Sequence, residues 1–161
     1  MNILAIDTSG IVASVAIANE DKILGEINLN YKQNHSVTIM PIIDNLLKML
    51  EMDICNIDYF AFAKGPGSFT GLRIGAATIK AMAHSLNKKI IPISTLEAMS
   101  YNIIDNGRYI VPIIDAKAER VFTGIYKNKD GILQNILPDY ATNITELLDY
   151  ILKKKILLLY L

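Results

Sequence analysis

The sequence predicts an α/β fold in which one β-β-β-α-β unit is used twice, the second time incompletely. Three observations carry that reading. Short apolar runs at 3–6, 12–18 and 23–29 follow one another across small polar turns, then give way to helical periodicity. The same order restarts near Tyr109. Between the two lies Lys64-Gly65-Pro66-Gly67-Ser68-Phe69-Thr70-Gly71-Leu72-Arg73-Ile74-Gly75, a glycine-punctuated junction after a strand-like run and before a helix-like one.

Each element has a local reason. The first strands are separated by Asp7-Thr8-Ser9-Gly10 and Asn19-Glu20-Asp21-Lys22, both rich in turn formers. A helix over 36–50 follows from Ile39, Ile42, Ile43, Leu46, Leu47 and Leu50 on one face, with Pro41 in its first turns, where a missing N–H is tolerated. Residues 57–63 read as a buried strand, 70–86 as a helix and 90–93 as a short strand. Ser94-Thr95-Leu96-Glu97 has capping-box spacing and opens a helix ending near Asn106-Gly107.

The second half restarts with a strand over 109–114 that ends in Asp115, as the first strand ends in Asp7. Strands over 121–127 and 132–137, a helix over 143–152 and a strand from 155 onward continue the parallel. Asn128-Lys129-Asp130-Gly131-Ile132-Leu133 echoes Asn19-Glu20-Asp21-Lys22-Ile23-Leu24. The domain expectation is a first lobe over 1–107 and a partial second lobe over 108–161. The apolar run 156–161 reads either as an interior strand of a shortened chain or as an ordinary C-terminal edge strand.

Composition narrows the function classes. At 161 residues and 52% hydrophobic, the chain can bury a substantial core, and no apolar run reaches the roughly 18–20 residues of a membrane span. Lys plus Arg and Asp plus Glu are 16 each, which argues against a strong nucleic-acid footprint. Lys88-Lys89 and Lys153-Lys154-Lys155 read as solvated ends of elements. The single cysteine, Cys55, excludes an intrachain disulfide, and the N-terminus lacks a signal peptide's basic region, so a cytoplasmic protein is expected.

The glycine junction admits two roles. Ser68 and Thr70 can cap the new helix, and its N-terminal N–H groups beside Arg73 suit an anion. Alternatively Gly71 and Gly75, one turn apart, let the helix press on a neighbour. Neither the Gly-x4-Gly-Lys-Ser/Thr nor the Gly-x-Gly-x-x-Gly template is met. Ser9, Ser68 and Ser94 have no adjacent histidine, and no nucleophile–base pair shows recognisable spacing, so no catalytic residue is expected.

The Asp-ended strand and hairpin, repeated, with a Gly-rich strand-to-helix turn, resembles the actin-like ATPase (ribonuclease H-like) fold. Residues 3–9, 65–75, 92–96 and 114–117 together resemble the TsaB (YeaZ) family, over 1–127 and loosely afterwards. The resemblance implies a complete first lobe and a truncated second one. It also implies a non-catalytic scaffold for threonylcarbamoyl transfer to adenosine 37 of tRNA, with a TsaD-like catalytic subunit, a TsaE-like ATPase and tRNA met only through the complex. Self-pairing as a homodimer is implied too. His35, Gly71, Ile74, Gly75 and Thr78 then belong to a partner interface. The alternative is an independent actin-like ATPase or kinase using Asp7, Ser68 and Arg73 around phosphates. In either case the candidate nucleotide- or anion-binding residues are Asp7, Thr8, Ser9, Gly65, Gly67, Ser68, Thr70, Arg73 and Asp115.

In actin-like ATPases, acidic residues at such hairpins organise a metal-bound nucleotide. Asp7 and Asp115 read equally well as turn-starting residues that accept backbone N–H groups. The family's catalytic relative holds metal through two histidines four residues apart at the start of this helix, a pattern underlying an older glycoprotease reading. Here Ile39 stands four residues after His35, so no metal site is expected and His35 reads as a helix-start hydrogen-bonding residue. No cofactor is required of this chain, although ATP or ADP at a subunit interface is compatible with the resemblance.

Overall fold

The computed structural model describes residues 1–30, 35–103 and 107–154. The expected C-terminal strand lies outside them; the helix opened by Ser94 ends at Tyr101 with Asn102 as its C-cap, earlier than the expected end near Asn106-Gly107. The chain forms two compact units, Met1–Ile93 and Ser94–Leu161.

In the first unit, β1 (Ile3–Asp7), β2 (Ala13–Ala18) and β3 (Ile23–Leu29) form an antiparallel meander, followed by α1 (His35–Met49). β4 (Tyr59–Ala63) pairs parallel with β1, and β5 (Lys89–Ile93) parallel with β4, with α2 (Phe69–Ser85) as the crossover. The sheet order is β3-β2-β1-β4-β5. One core joins Leu4, Ile6, Val15, Ile17 and Phe60 of the sheet to Ile39, Ile42, Ile43 and Leu46 of α1 and Ile79 and Ala83 of α2. Strand alternation turns Leu4 and Ile6 to the helix-covered face, and the 3.6-residue period supplies the matching helix stripes.

Pro41 lies in the second turn of α1, on the exposed side, past the helix start where a missing N–H costs nothing. Its missing N–H removes the helical hydrogen bond that residue 41 would otherwise make to the Val37 carbonyl.

The second unit repeats the meander around a central strand. β6 (Tyr109–Ile110) and β7 (Ile113–Asp115) pair with β8 (Arg120–Lys129) in one continuous register, and β9 (Ile132–Asn143) pairs with β8. The expected strand over 109–114 is thus interrupted at Val111-Pro112, where proline cannot donate to the ladder. α4 (Ile144–Lys153) buries Leu147 and Ile151 against Val111, Val121 and Ile125. α3 (Thr95–Tyr101) buries Leu96 with Ile110 and Tyr126. That packing puts α3 in the second unit, so the units divide at 93/94, earlier than the 107/108 division the sequence indicates.

The hairpins share local chemistry. Asp7 Oδ1 accepts the Ser9 N–H at 2.7 Å and Asp115 Oδ1 the Lys117 N–H at 2.8 Å, both two residues on. Asn19 Oδ1 takes N–H groups of Asp21 and Lys22, and Asn128 Oδ1 that of Gly131. The β9 strand runs beyond the expected 132–137, through Pro138, because a register shift beside Gly124 absorbs the proline where no ladder donor is needed.

Candidate functional site

The glycine junction meets the β1–β2 turn inside the first unit. The Gly65–Pro66 peptide is cis, and Gly65 has φ +107° and Gly67 φ +159°. Ser68 N–H donates to the Ser9 carbonyl at 2.6 Å, and Thr8 Oγ1 donates to the Gly71 carbonyl at 2.8 Å. Ser68 Oγ caps α2 by accepting the Gly71 N–H at 3.3 Å. Thr8 and Ser9 are buried.

Glycine is required along this seam. A Cβ on Gly67 would come within 2.6 Å of the Ser9 carbonyl oxygen, and one on Gly75 within 2.5 Å of Thr8 Oγ1. At Gly71 it would run into the Thr8 carbonyl oxygen. Gly71 and Gly75 therefore lie on the buried face of α2, with Ile79 and Ala83 at four-residue intervals. This corrects their expected place in a partner interface: the closely approaching surface is the chain's own turn, not a second polypeptide. Ile74 and Thr78 are half-buried.

The phosphate-cradle residues come together only in part. Asp7, Thr8, Ser9, Gly65, Gly67 and Ser68 converge, but the Ser68 and Gly71 N–H groups are already engaged by Ser9 and Ser68. Thr70 is exposed, and the Arg73 guanidinium lies 3.9 Å over the Phe69 ring. Asp115 is exposed in the second unit, before the left-handed run Lys117, Ala118 and Glu119.

His35 Nε2 lies 2.9 Å from the Gly10 carbonyl oxygen, tying the start of α1 to the β1–β2 turn. Among the described residues no group of three or more His, Cys, Asp or Glu side chains could hold a metal. No helix there is long and apolar enough to cross a membrane.

The outward faces of the two helices carry apolar side chains. On α1, Val37 is 67% exposed and Met40, one turn on, 49%. Phe69 at the start of α2 is 68% exposed.

One cluster escaped the sequence reading. Asp139 accepts hydrogen bonds from Ser94 Oγ at 2.5 Å and from the Tyr126 hydroxyl. Burial, reinforced by the adjacent carboxylate, pushes the Tyr126 phenol well above its ordinary value. A Cβ on Gly124 would lie 2.7 Å from Asp139 Oδ1, so the glycine makes room for this carboxylate. The available signal was a glycine inside a strand, which marks a bulge or a close approach.

A three-stranded antiparallel meander extended by parallel strands through helical crossovers, with its meander repeated in the second unit, defines a protein of the actin-like, ribonuclease H-like class. The solved structure "YeaZ from Pseudomonas aeruginosa" superposes with a TM-score of 0.79 at 26% identity, over 88% of this chain and 67% of that one. The family model described as "TsaD: tRNA N6-adenosine threonylcarbamoyltransferase" matches residues 22–158. The Bacillus subtilis (strain 168) protein described as "tRNA threonylcarbamoyladenosine biosynthesis protein TsaB" is 38% identical over 96% of this chain and 67% of its own length. The Escherichia coli (strain K12) protein of the same description is 30% identical over 82% of this chain and 58% of its own length. The chain belongs to the TsaB family. It spans about two-thirds of the Bacillus relative and a smaller share of the Escherichia one.

Proposed function

We propose that this chain is a non-catalytic subunit of the machinery that adds threonylcarbamoyl to adenosine 37 of tRNA, docking onto a TsaD-like catalytic subunit through the outer face of α1 and the N-terminal end of α2. The observation that carries the reading is the match to relatives described as biosynthesis proteins for this modification, over 96% of the chain for the Bacillus protein. The geometry supports a docking role. Val37 and Met40 on α1 and Phe69 on α2 offer apolar contact area to water, and covering it on association is favourable. The β1–β2 turn and the glycine junction bond to each other, which makes them a rigid support for α2 rather than an open cradle.

In this reading the subunit supplies orientation and binding energy in the cytoplasm, a TsaE-like ATPase serves the assembled complex, and any ATP or ADP sits at a subunit joint. Homodimerisation through the same helix faces covers them when the catalytic partner is absent.

Co-purification with the TsaD-like protein of the same organism tests the proposal. Wild-type chain should be retained, and Val37→Glu with Met40→Glu should reduce retention at least tenfold while the melting temperature stays within a few degrees. No retention of wild type overturns docking. Robust ATP turnover by the isolated chain, abolished by Asp7→Ala, would establish an independent nucleotide enzyme instead.

A further inference from the structure

We propose that the groove at the C-terminal end of α2 contacts the phosphodiester backbone of RNA through Lys80, His84 and Lys88. The groove, of about 570 Å³, is lined by Lys80, Ala81, Ala83, His84, Asn87, Lys88 and Ile90, with no carboxylate among them. In a chain whose formal charges cancel, that is a local cationic concentration. Lys80 and His84 are exposed and Lys88 is half-buried, and none of the three is ion-paired with a described residue.

The spacing gives the ligand class. Four helical residues rise about 6 Å, a step comparable to that between successive phosphates of a nucleic-acid strand. Lys88 extends the row past the end of the helix. Its N–H bonds to the Ala83 carbonyl at 2.8 Å across left-handed Asn87, and its Nζ donates to the Cys55 carbonyl at 3.3 Å, which fixes its direction. Cations at a helix C-terminus also complement the macrodipole, an effect confined to the last turn. Lys80 lies before the last turn, where that effect has faded, so the dipole does not explain the row.

The identity of the RNA as tRNA rests on the function proposed above; the recognition of phosphate does not. It differs from the sequence expectation that tRNA is met only through the complex, because these contacts belong to this chain. Two or three contacts make a weak footprint, compatible with the absence of a basic excess.

Fluorescence anisotropy of the full chain with labelled tRNA, between 50 and 200 mM salt, tests this. Phosphates neutralised by the two lysines give a slope of log affinity against log salt of about −1.5 to −2. Lys80→Gln with Lys88→Gln should make that slope shallower by about 1.5 to 2 and weaken binding at 50 mM salt about tenfold. Lys153→Gln on α4 should change neither. Unchanged RNA binding by the double variant, or no salt-dependent RNA binding by wild type, overturns the proposal. Co-purification of the double variant with the TsaD-like protein should remain normal. Loss of that capture with RNA binding intact would assign the groove to an acidic protein surface and overturn the RNA reading. If wild-type chain fails to co-purify at all, the proposed function falls while the anisotropy still decides the groove.

Discussion

Thr8 and its two glycine neighbours on α2 concentrate the tightest packing of the first unit. Replacing Gly71 by Ala drives a methyl group into the Thr8 carbonyl, and backbone on both sides limits relaxation. The expected cost is roughly 3 kcal/mol, the upper range for overpacking, read as a lowered urea midpoint at unchanged slope. Gly10→Ala on the same turn meets nothing within 4 Å and should stay within about 0.5 kcal/mol of wild type. Loss of partner binding in a Gly75→Leu variant would therefore report damage to the fold rather than removal of a contact. In the second unit, folding holds the Tyr126 phenol neutral to higher pH than in the unfolded chain, where it ionises near the ordinary phenol value of 10.0. Its contribution to stability is complete below that value and is lost as pH rises toward the folded-state pKa. Tyr126→Phe should reduce the alkaline decline in chemical-denaturation stability above pH 10, and an unaltered decline would contradict the assignment.

At the scale of elements, the periodic segments were legible. α1, α2 and α4 lie within a residue or so of their expected bounds because apolar stripes and caps are written in neighbouring residues. Ser94 caps α3 through the Glu97 N–H, as its spacing indicates. Less legible were β9, whose passage through Pro138 depends on a bulge opposite Gly124, and the break between β6 and β7. Pro41 inside α1 carries an unused gain. Pro41→Ala restores a helical donor on an exposed face and should stabilise the protein by about 1–3 kcal/mol, raising the thermal midpoint by several degrees. A lowered midpoint would mean that the proline holds a bend the packing needs.

For the whole molecule, the distribution of buried side chains sets the order of opening. The first unit buries one large cluster drawn from three strands and two helices, with partly buried side chains of β3 and β5 packed against it, whereas the described residues of the second bury two smaller ones. Hydrogen exchange should be slower in β1, β2 and β4 than in β8 and β9, and limited proteolysis should leave a resistant fragment ending near Ile93. A resistant fragment extending instead to about residue 107 would restore the sequence-based boundary. What the sequence determined by itself was the succession of elements, the paired Asp and Asn turns, and the family, because turn chemistry, capping and periodicity act over a few residues. Only the tertiary structure decided that Gly71 and Gly75 face Thr8, that α3 belongs with Ile110 and Tyr126, and that Asp139 joins Ser94 to Tyr126. Those outcomes depend on which distant backbone arrives against a given face, and nothing in a helix's own period says which neighbour its small residues are making room for.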